Sequence, residues 1–224
     1  MSRTLLHVDA SPRADERSHS RRLTARFAGL WRAGGGDRRV VHRDLRAVVP
    51  PHVDQPWIAA AFAAPDRRTP AMRRALLASD ALVDEFLAAD EYLLGVPMYN
   101  FGVPSALKAW IDNVVRIGRT FAFVPDDPAG DTYKPLVPPG RRMTVVVTTG
   151  DAGYEPGGRL WPLNQLEPYL RTVFPFVGVA DLGFVYAGND EFGGERLDRS
   201  LEDAARQIDA AAGTSSAVPC VGSL

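Results

Sequence analysis

The 224 residues carry 26 Lys and Arg against 27 Asp and Glu. That suits one globular domain with a sizeable core and leaves no global field to gather nucleic acid or an anionic membrane. The single cysteine, Cys220, argues against disulfides and thiolate metal clusters and points to a reducing cytoplasm, while the apolar run 4–8 meets Asp9 and Pro12 too soon for a signal-peptide core or a membrane span.

In chain order, apolar runs bounded by turn residues alternate with stretches of helical periodicity, the pattern of a parallel sheet covered on both faces. Strands are predicted at 4–9, 39–44, 91–96, 143–149 and 179–186. The third and fourth are apolar on both alternate faces and belong at the centre of the sheet. Helices are predicted at 20–32, 71–88, 104–116, 162–174 (interrupted by proline) and 191–212, with a short one at 58–64 inside the proline-rich stretch 50–70. Residues 1–212 therefore read as one doubly wound, five-stranded α/β domain, and 213–224 as a flexible tail. In such sheets ligands sit beyond the carboxyl ends of the strands, which singles out the loops after Asp9, Val96 and Thr149.

The first loop runs through Ser11-Pro12-Arg13 to Ser18-His19-Ser20 at the start of a helix. Free amides of a first turn, the positive end of the helix dipole and three hydroxyls make a phosphate cradle. Ser18 is equally competent as an ordinary N-cap. Arg21 and Arg22 oppose the dipole and are better placed if an anion is bound, or else are simply solvated. Neither a Walker lysine nor a G-x-G-x-x-G pattern opens this helix.

The second loop, Pro97-Met98-Tyr99-Asn100-Phe101-Gly102, ends before Pro104, which suits the first position of a helix. Apolar and aromatic walls beside an amide that can both donate and accept are what a flat heteroaromatic ring requires, and Gly102 would let backbone approach it closely. A hydrophobic loop tucked under a neighbour has the same composition. Beyond it, Leu107, Trp110, Ile111 and Val114 share one helix face, and Lys108 and Asp112 are spaced to pair. Residues 120–124 then have β propensity and lead into a turn-rich segment, which predicts a hairpin.

Pro97-Met98-Tyr99-Asn100-Phe101, the run 104–112 and Arg119-Thr120-Phe121-Ala122-Phe123 together closely resemble the FMN-dependent NADH azoreductases, which belong to the flavodoxin-like quinone reductases. The resemblance extends from residue 5 to about 186 and is most specific over 97–123. It implies a flavodoxin-like fold and a homodimer with two equivalent interfacial sites. It also implies hydride transfer from NADH or NADPH to FMN, followed by reduction of a quinone or azo compound, with the cofactor carrying the chemistry. By position, Ser11, Arg13, Ser18, His19 and Ser20 would hold the phosphate and ribityl chain. Pro97, Met98, Tyr99, Asn100 and Phe101 would line the isoalloxazine, and Phe121 and Phe123 would wall the substrate pocket.

The third loop, Thr148-Thr149-Gly150-Asp151-Ala152-Gly153, departs from the Ser-Arg-Gly-Gly of that family: an arginine is lost and an acid gained. Thr149, Gly150, Asp151 and Gly153 would face the pyrimidine edge of the flavin. An inward Asp151 would lower its reduction potential, whereas an outward one would leave only backbone amides in play.

His7, His42 and His52 show no metal-ligand spacing, so no metal site is expected. Asp44 reads as a surface acid rather than a ribose reader, and Asp126 and Asp127 as solvation of a turn. Two further functional classes fit the same residues: a flavodoxin-like electron carrier without turnover, and a biosynthetic flavoenzyme acting on a polycyclic intermediate.

Overall fold

In the computed structural model, which describes residues 2–214, the chain opens with β1 (Arg3–Asp9), α1 (His19–Ala33), β2 (Arg38–Asp44), α2 (Gln55–Phe62) and α3 (Pro70–Ala88). It continues with β3 (Glu91–Pro97), α4 (Ser105–Val114), β4 (Phe121–Phe123), β5 (Tyr133–Pro135) and β6 (Arg142–Thr148), then α5 (Leu166–Val177), β7 (Asp181–Ala187) and α6 (Gly194–Thr214). Five strands form one parallel sheet in the order β2-β1-β3-β6-β7, and β4 and β5 pair as a separate antiparallel hairpin. The chain leaves β1 for β2 on one side and returns for β3 on the other, so the crevice between the carboxyl ends of β1 and β3 is the topological switch point.

Period-two alternation divides the apolar residues between two layers. Leu6, Val8, Leu94, Val96, Val145 and Val147 face α3, α4 and α5, where Phe86, Trp110, Leu170 and Phe174 complete one core. Leu5, Leu93, Val146 and Val185 face α1 and α6, against Leu23, Phe27, Trp31 and Ile208. Every residue of β3 is buried, including Glu91. Its carboxylate accepts from Trp31 Nε1 at 2.9 Å and pairs with Arg3. β2 is one of the two edges, and its Arg-Arg-Val-Val-His-Arg-Asp sequence is only partly buried, the charged composition that discourages pairing with another chain.

The predicted α/β class, strand set and hairpin match this architecture, with boundaries displaced where capping decides. α2 starts before the expected 58 because Asp54 Oδ1 accepts from Trp57 N at 2.8 Å and Pro56 suits the first turn. The stretch expected at 162–174 divides into a short 3-10 turn, Trp161–Leu163, and α5. Asn164 Oδ1 accepts the amides of Leu166 and Glu167, and Pro168 falls in the first turn, where no amide hydrogen is needed. The last helix starts at 194 rather than 191, after Asn189, Gly193 and Gly194 take positive φ. It runs to Thr214, and the rest of the expected tail, with Cys220, lies outside the described residues. No helix among the described residues is long and apolar enough to cross a membrane.

Candidate functional site

The four loops at the carboxyl ends of β1, β3, β6 and β7 meet over the switch point. A cavity of about 100 Å³ is lined there by Ser11, Arg13, Ser18 and His19 from the first loop, Pro97, Met98 and Tyr99 from the second, Thr149 and Gly150 from the third, and Asp190 and Glu191 from the fourth. Met98, Gly150 and Glu191 also border a second cavity of about 260 Å³, which extends to Asn100, Phe101, Asp151 and Tyr154. The two make one groove, with hydroxyls, Arg13 and the His19 ring at one end and aromatic walls at the other.

At the polar end Ser11 and Ser18 line the cavity and are buried, whereas Ser20, also buried, does not line it. Ser18 caps α1 by accepting from Arg21 N at 3.4 Å, and its Oγ lies 3.2 Å from Ser20 Oγ. The capping and cradle readings of this loop are therefore compatible. Arg13 Nη1 and His19 Nε2 each lie 3.0 Å from the Asp190 carboxylate. Burial lowers the His19 pKa, Asp190 opposes that shift, and Arg22 and Arg13 reinforce it.

Arg21 departs from its expected role. Its guanidinium is buried and turns away from the groove, donating to Ser11 O at 2.7 Å and Asp44 Oδ1 at 2.5 Å. It braces the first loop against the end of β2 instead of meeting an anion, and Asp44 is its partner rather than a free surface acid. Arg22 is exposed and reaches His19 Nδ1.

At the other end the second loop is a tight turn. Tyr99 and Gly102 exchange amide hydrogen bonds of 3.1 and 3.0 Å, and the two residues between them, Asn100 and Phe101, have φ of 48° and 67°. Positive φ at both central positions is the type I′ pattern that normally takes Asn-Gly. A bulky Phe there is a strained outlier of the kind that clusters at ligand sites. Gly102 is not the residue that needs to be glycine: its φ is not positive and a Cβ would meet nothing within 4 Å. The turn is held by Met98 N on Thr148 O at 2.8 Å and by Gln165 N on Phe101 O at 2.9 Å, so Phe101 is presented at a fixed place, 47% exposed.

The third loop is tied to the fourth: Asp190 N donates to Thr149 O at 3.2 Å and Glu191 N to Gly150 O at 3.1 Å. Thr149 Oγ1 donates to Asp151 O at 2.6 Å. Asp151 borders the groove, yet one oxygen accepts from Ala152 N and the other pairs with Arg159 Nη2 at 3.0 Å. Gly153 takes φ 93° and accepts from Leu160 N at 2.7 Å, turning the chain back so that Arg159 reaches Asp151.

Phe121 and Phe123 stand apart from this groove. They pack on the β4–β5 hairpin with Tyr133 and Phe176, at centroid separations of 5.0 to 6.1 Å. Phe123 and Tyr133 are 48% and 54% exposed. Asp190, Glu191 and Tyr154 line the groove without having been singled out by the sequence. The signal for the first two was available, because the loop after the fifth strand lies at the same carboxyl edge as the other three.

The family model of the flavodoxin-like fold matches residues 3–212. The chain is 44% identical over 200 residues to the FMN-dependent NADH:quinone oxidoreductase 2 of Trichormus variabilis, covering 89% of this chain and 93% of that protein. To the FMN-dependent NAD(P)H:quinone oxidoreductase 1 of Pseudomonas aeruginosa it is 41% identical over 209 residues, covering 93% and 97%. Among solved structures, an FMN-dependent NADH-azoreductase from Bacillus anthracis in complex with FMN superposes with a TM-score of 0.83 at 21% identity, over 96% of this chain and 100% of the other.

Proposed function

The chain belongs to the flavodoxin-like family that includes the FMN-dependent NAD(P)H:quinone oxidoreductases, and we propose that it oxidises NADH or NADPH and reduces quinones or azo compounds with FMN held in the groove described above. The observation that carries this reading is the continuity of the groove, from buried hydroxyls, Arg13 and the His19 ring to an aromatic turn, across the switch point. FMN supplies two-electron transfer when bound. Ser11, Ser18, Ser20 and the first amides of α1 hold the phosphate, with Arg13 and His19 released toward it from Asp190. Pro97, Met98, Tyr99 and the strained Asn100-Phe101 turn fix the ring plane, while Thr149, Gly150, Asp151 and Gly153 shape its polar edge.

The exposed aromatic surface of the hairpin extends this reading. In a pair of copies, each presenting its hairpin to the groove of the other, Phe121 and Phe123 would wall the substrate pocket. The exposed Phe123, Tyr133 and Phe176 are the surface such a homodimer would cover. The single cysteine and near-neutral charge suit a cytoplasmic enzyme.

The test is to incubate the purified protein with FMN, desalt it, and add NADH or NADPH anaerobically while following the flavin absorbance. Retained flavin that bleaches, then reoxidises on adding a quinone, supports the reading. Flavin that washes out, or stays oxidised with either nicotinamide, sinks it.

A further inference from the structure

His7 and His42 lie far apart in sequence, but the parallel register of β1 and β2 places them side by side, with Asp9 two residues after His7 on the same face. The imidazole centroids are 4.6 Å apart. Asp9 Oδ2 lies 2.9 Å from His42 Nε2 and 3.3 Å from His7 Nε2, and the three atoms all fall within 4.8 Å of one another. His7 is only 5% exposed, and its Nε2 has no hydrogen-bond partner despite that proximity.

The carboxylate is fixed from behind. Asp9 Oδ1 accepts from Thr24 Oγ1 at 3.0 Å, and the space it fills exists because position 95 is glycine: a Cβ there would lie 2.6 Å from Oδ1. Oδ2 is thereby left to the imidazoles. Arg21 Nη1 pairs with Oδ2 only at 3.7 Å, beyond hydrogen-bond distance, and its hydrogen bonds go to Asp44 and Ser11 O. A cavity of about 370 Å³ opens beside His7, Asp9 and His42 and leads past Asp15 and Arg22.

We propose that His7, Asp9 and His42 bind one divalent transition-metal ion of the zinc class, whose remaining coordination positions open into this cavity. Two imidazoles and a carboxylate are a donor set that Zn²⁺ takes in open, three-ligand sites. Ligand atoms about 2.0–2.2 Å from a tetrahedral ion lie roughly 3.3 Å from each other, close to the two separations seen here. His42, at 47% side-chain exposure, has the freedom to close the remaining distance. Thr24 does what outer-shell groups do in such sites by orienting the ligating carboxylate. None of the three ligands lines the groove proposed for FMN, so the two sites stand or fall separately.

The experiment is a titration of the FMN-loaded, chelator-treated protein with Zn²⁺ against a chromogenic competitor, paired with thermal unfolding. One ion per chain is expected, with a higher unfolding midpoint when it is bound. His42→Gln, at an exposed position, should weaken binding by at least about tenfold and abolish the thermal shift. Asp9→Asn should do the same, whereas Cys220→Ser and His52→Gln should change neither. No stoichiometric binding at about 100 µM free Zn²⁺, or a folded His42→Gln protein that binds as tightly as the parent, would overturn the proposal.

Discussion

Asp151 Oδ2 lies 3.0 Å from Arg159 Nη2, so the acid that this chain carries at the mouth of the groove arrives with its own counter-charge. Arg159 is 73% exposed at the side chain and Asp151 35%; solvent therefore screens the pair, and its effect on a flavin held in the proposed groove would be a residual one. At about 10 Å a single charge contributes on the order of 0.5–1.5 kcal/mol, or ~10–30 mV for a two-electron couple. Arg159→Ala should lower the reduction potential of bound FMN by about that much and Asp151→Asn should raise it, with the double variant close to the parent. Spectroelectrochemical titration of the three proteins measures this, and three unchanged potentials would mean that Asp151 faces away from the flavin.

Arg21 and Arg22 are adjacent and chemically alike, yet the structure assigns them different fates. Arg21→Ala leaves Asp44 and the Ser11 carbonyl without their buried donor. Asp44 keeps the Arg46 amide at 2.8 Å, so the cost is that of acceptors losing a buried donor, about 1–3 kcal/mol, and FMN affinity should fall with it because the first loop loses its brace. Arg22→Ala, at an exposed position, should stay within about 0.5 kcal/mol of the parent. Denaturant unfolding and FMN titration of both variants check the contrast; equal destabilisation would contradict it.

The difference between those arginines also marks what the sequence could reveal. The sheet was legible because apolar runs such as 91–96 and 143–149 satisfy both faces at once, and three groove loops followed from where those strands end. Arg21 was misplaced because its partner, Asp44, comes from the end of another strand, and strand register cannot be read from local periodicity. The same holds for His7 and His42, which look unrelated along the chain and are paired by β1 and β2. Glu191 was absorbed into a helix expected from 191 and Asp190 fell in the unassigned gap before it, although Gly193 and Gly194 keep that segment in a turn facing the groove. Phe121 and Phe123 were placed in the pocket by resemblance, and within one chain they pack elsewhere.

Strain at the Asn100-Phe101 turn gives a prediction in which stability and activity separate. Left-handed backbone at a residue other than glycine costs about 1–2 kcal/mol. Phe101→Gly should therefore unfold at the same denaturant concentration as the parent or a higher one, even though it deletes a large apolar side chain that is 47% exposed. Phe101→Ala keeps the strain and should not gain. Both should bind FMN more weakly and turn over more slowly, because the ring loses its aromatic wall. A Phe101→Gly protein that is clearly less stable than Phe101→Ala would show that the side chain, and not the backbone, governs this turn.

His19 supplies a pH dependence with a defined sign. Burial holds its pKa below the ordinary value of about 6.5, so without FMN the imidazole is neutral at pH 7. The folded state then binds fewer protons than the unfolded one below pH ~6.5, and this group's contribution to stability declines as pH falls through that value. A phosphate dianion at the start of α1 reverses the balance by favouring imidazolium, as Asp190 already does in part. FMN binding should therefore take up protons between about pH 7.5 and pH 6, with affinity rising toward the acid end until the phosphate itself protonates near pH ~6. Calorimetric titrations in buffers of different ionisation enthalpy report that uptake directly. It should vanish in His19→Gln, which removes the titrating ring but leaves Arg13 and Asp190 in place, and enthalpies that are identical across buffers in the parent protein would exclude His19 from the phosphate site.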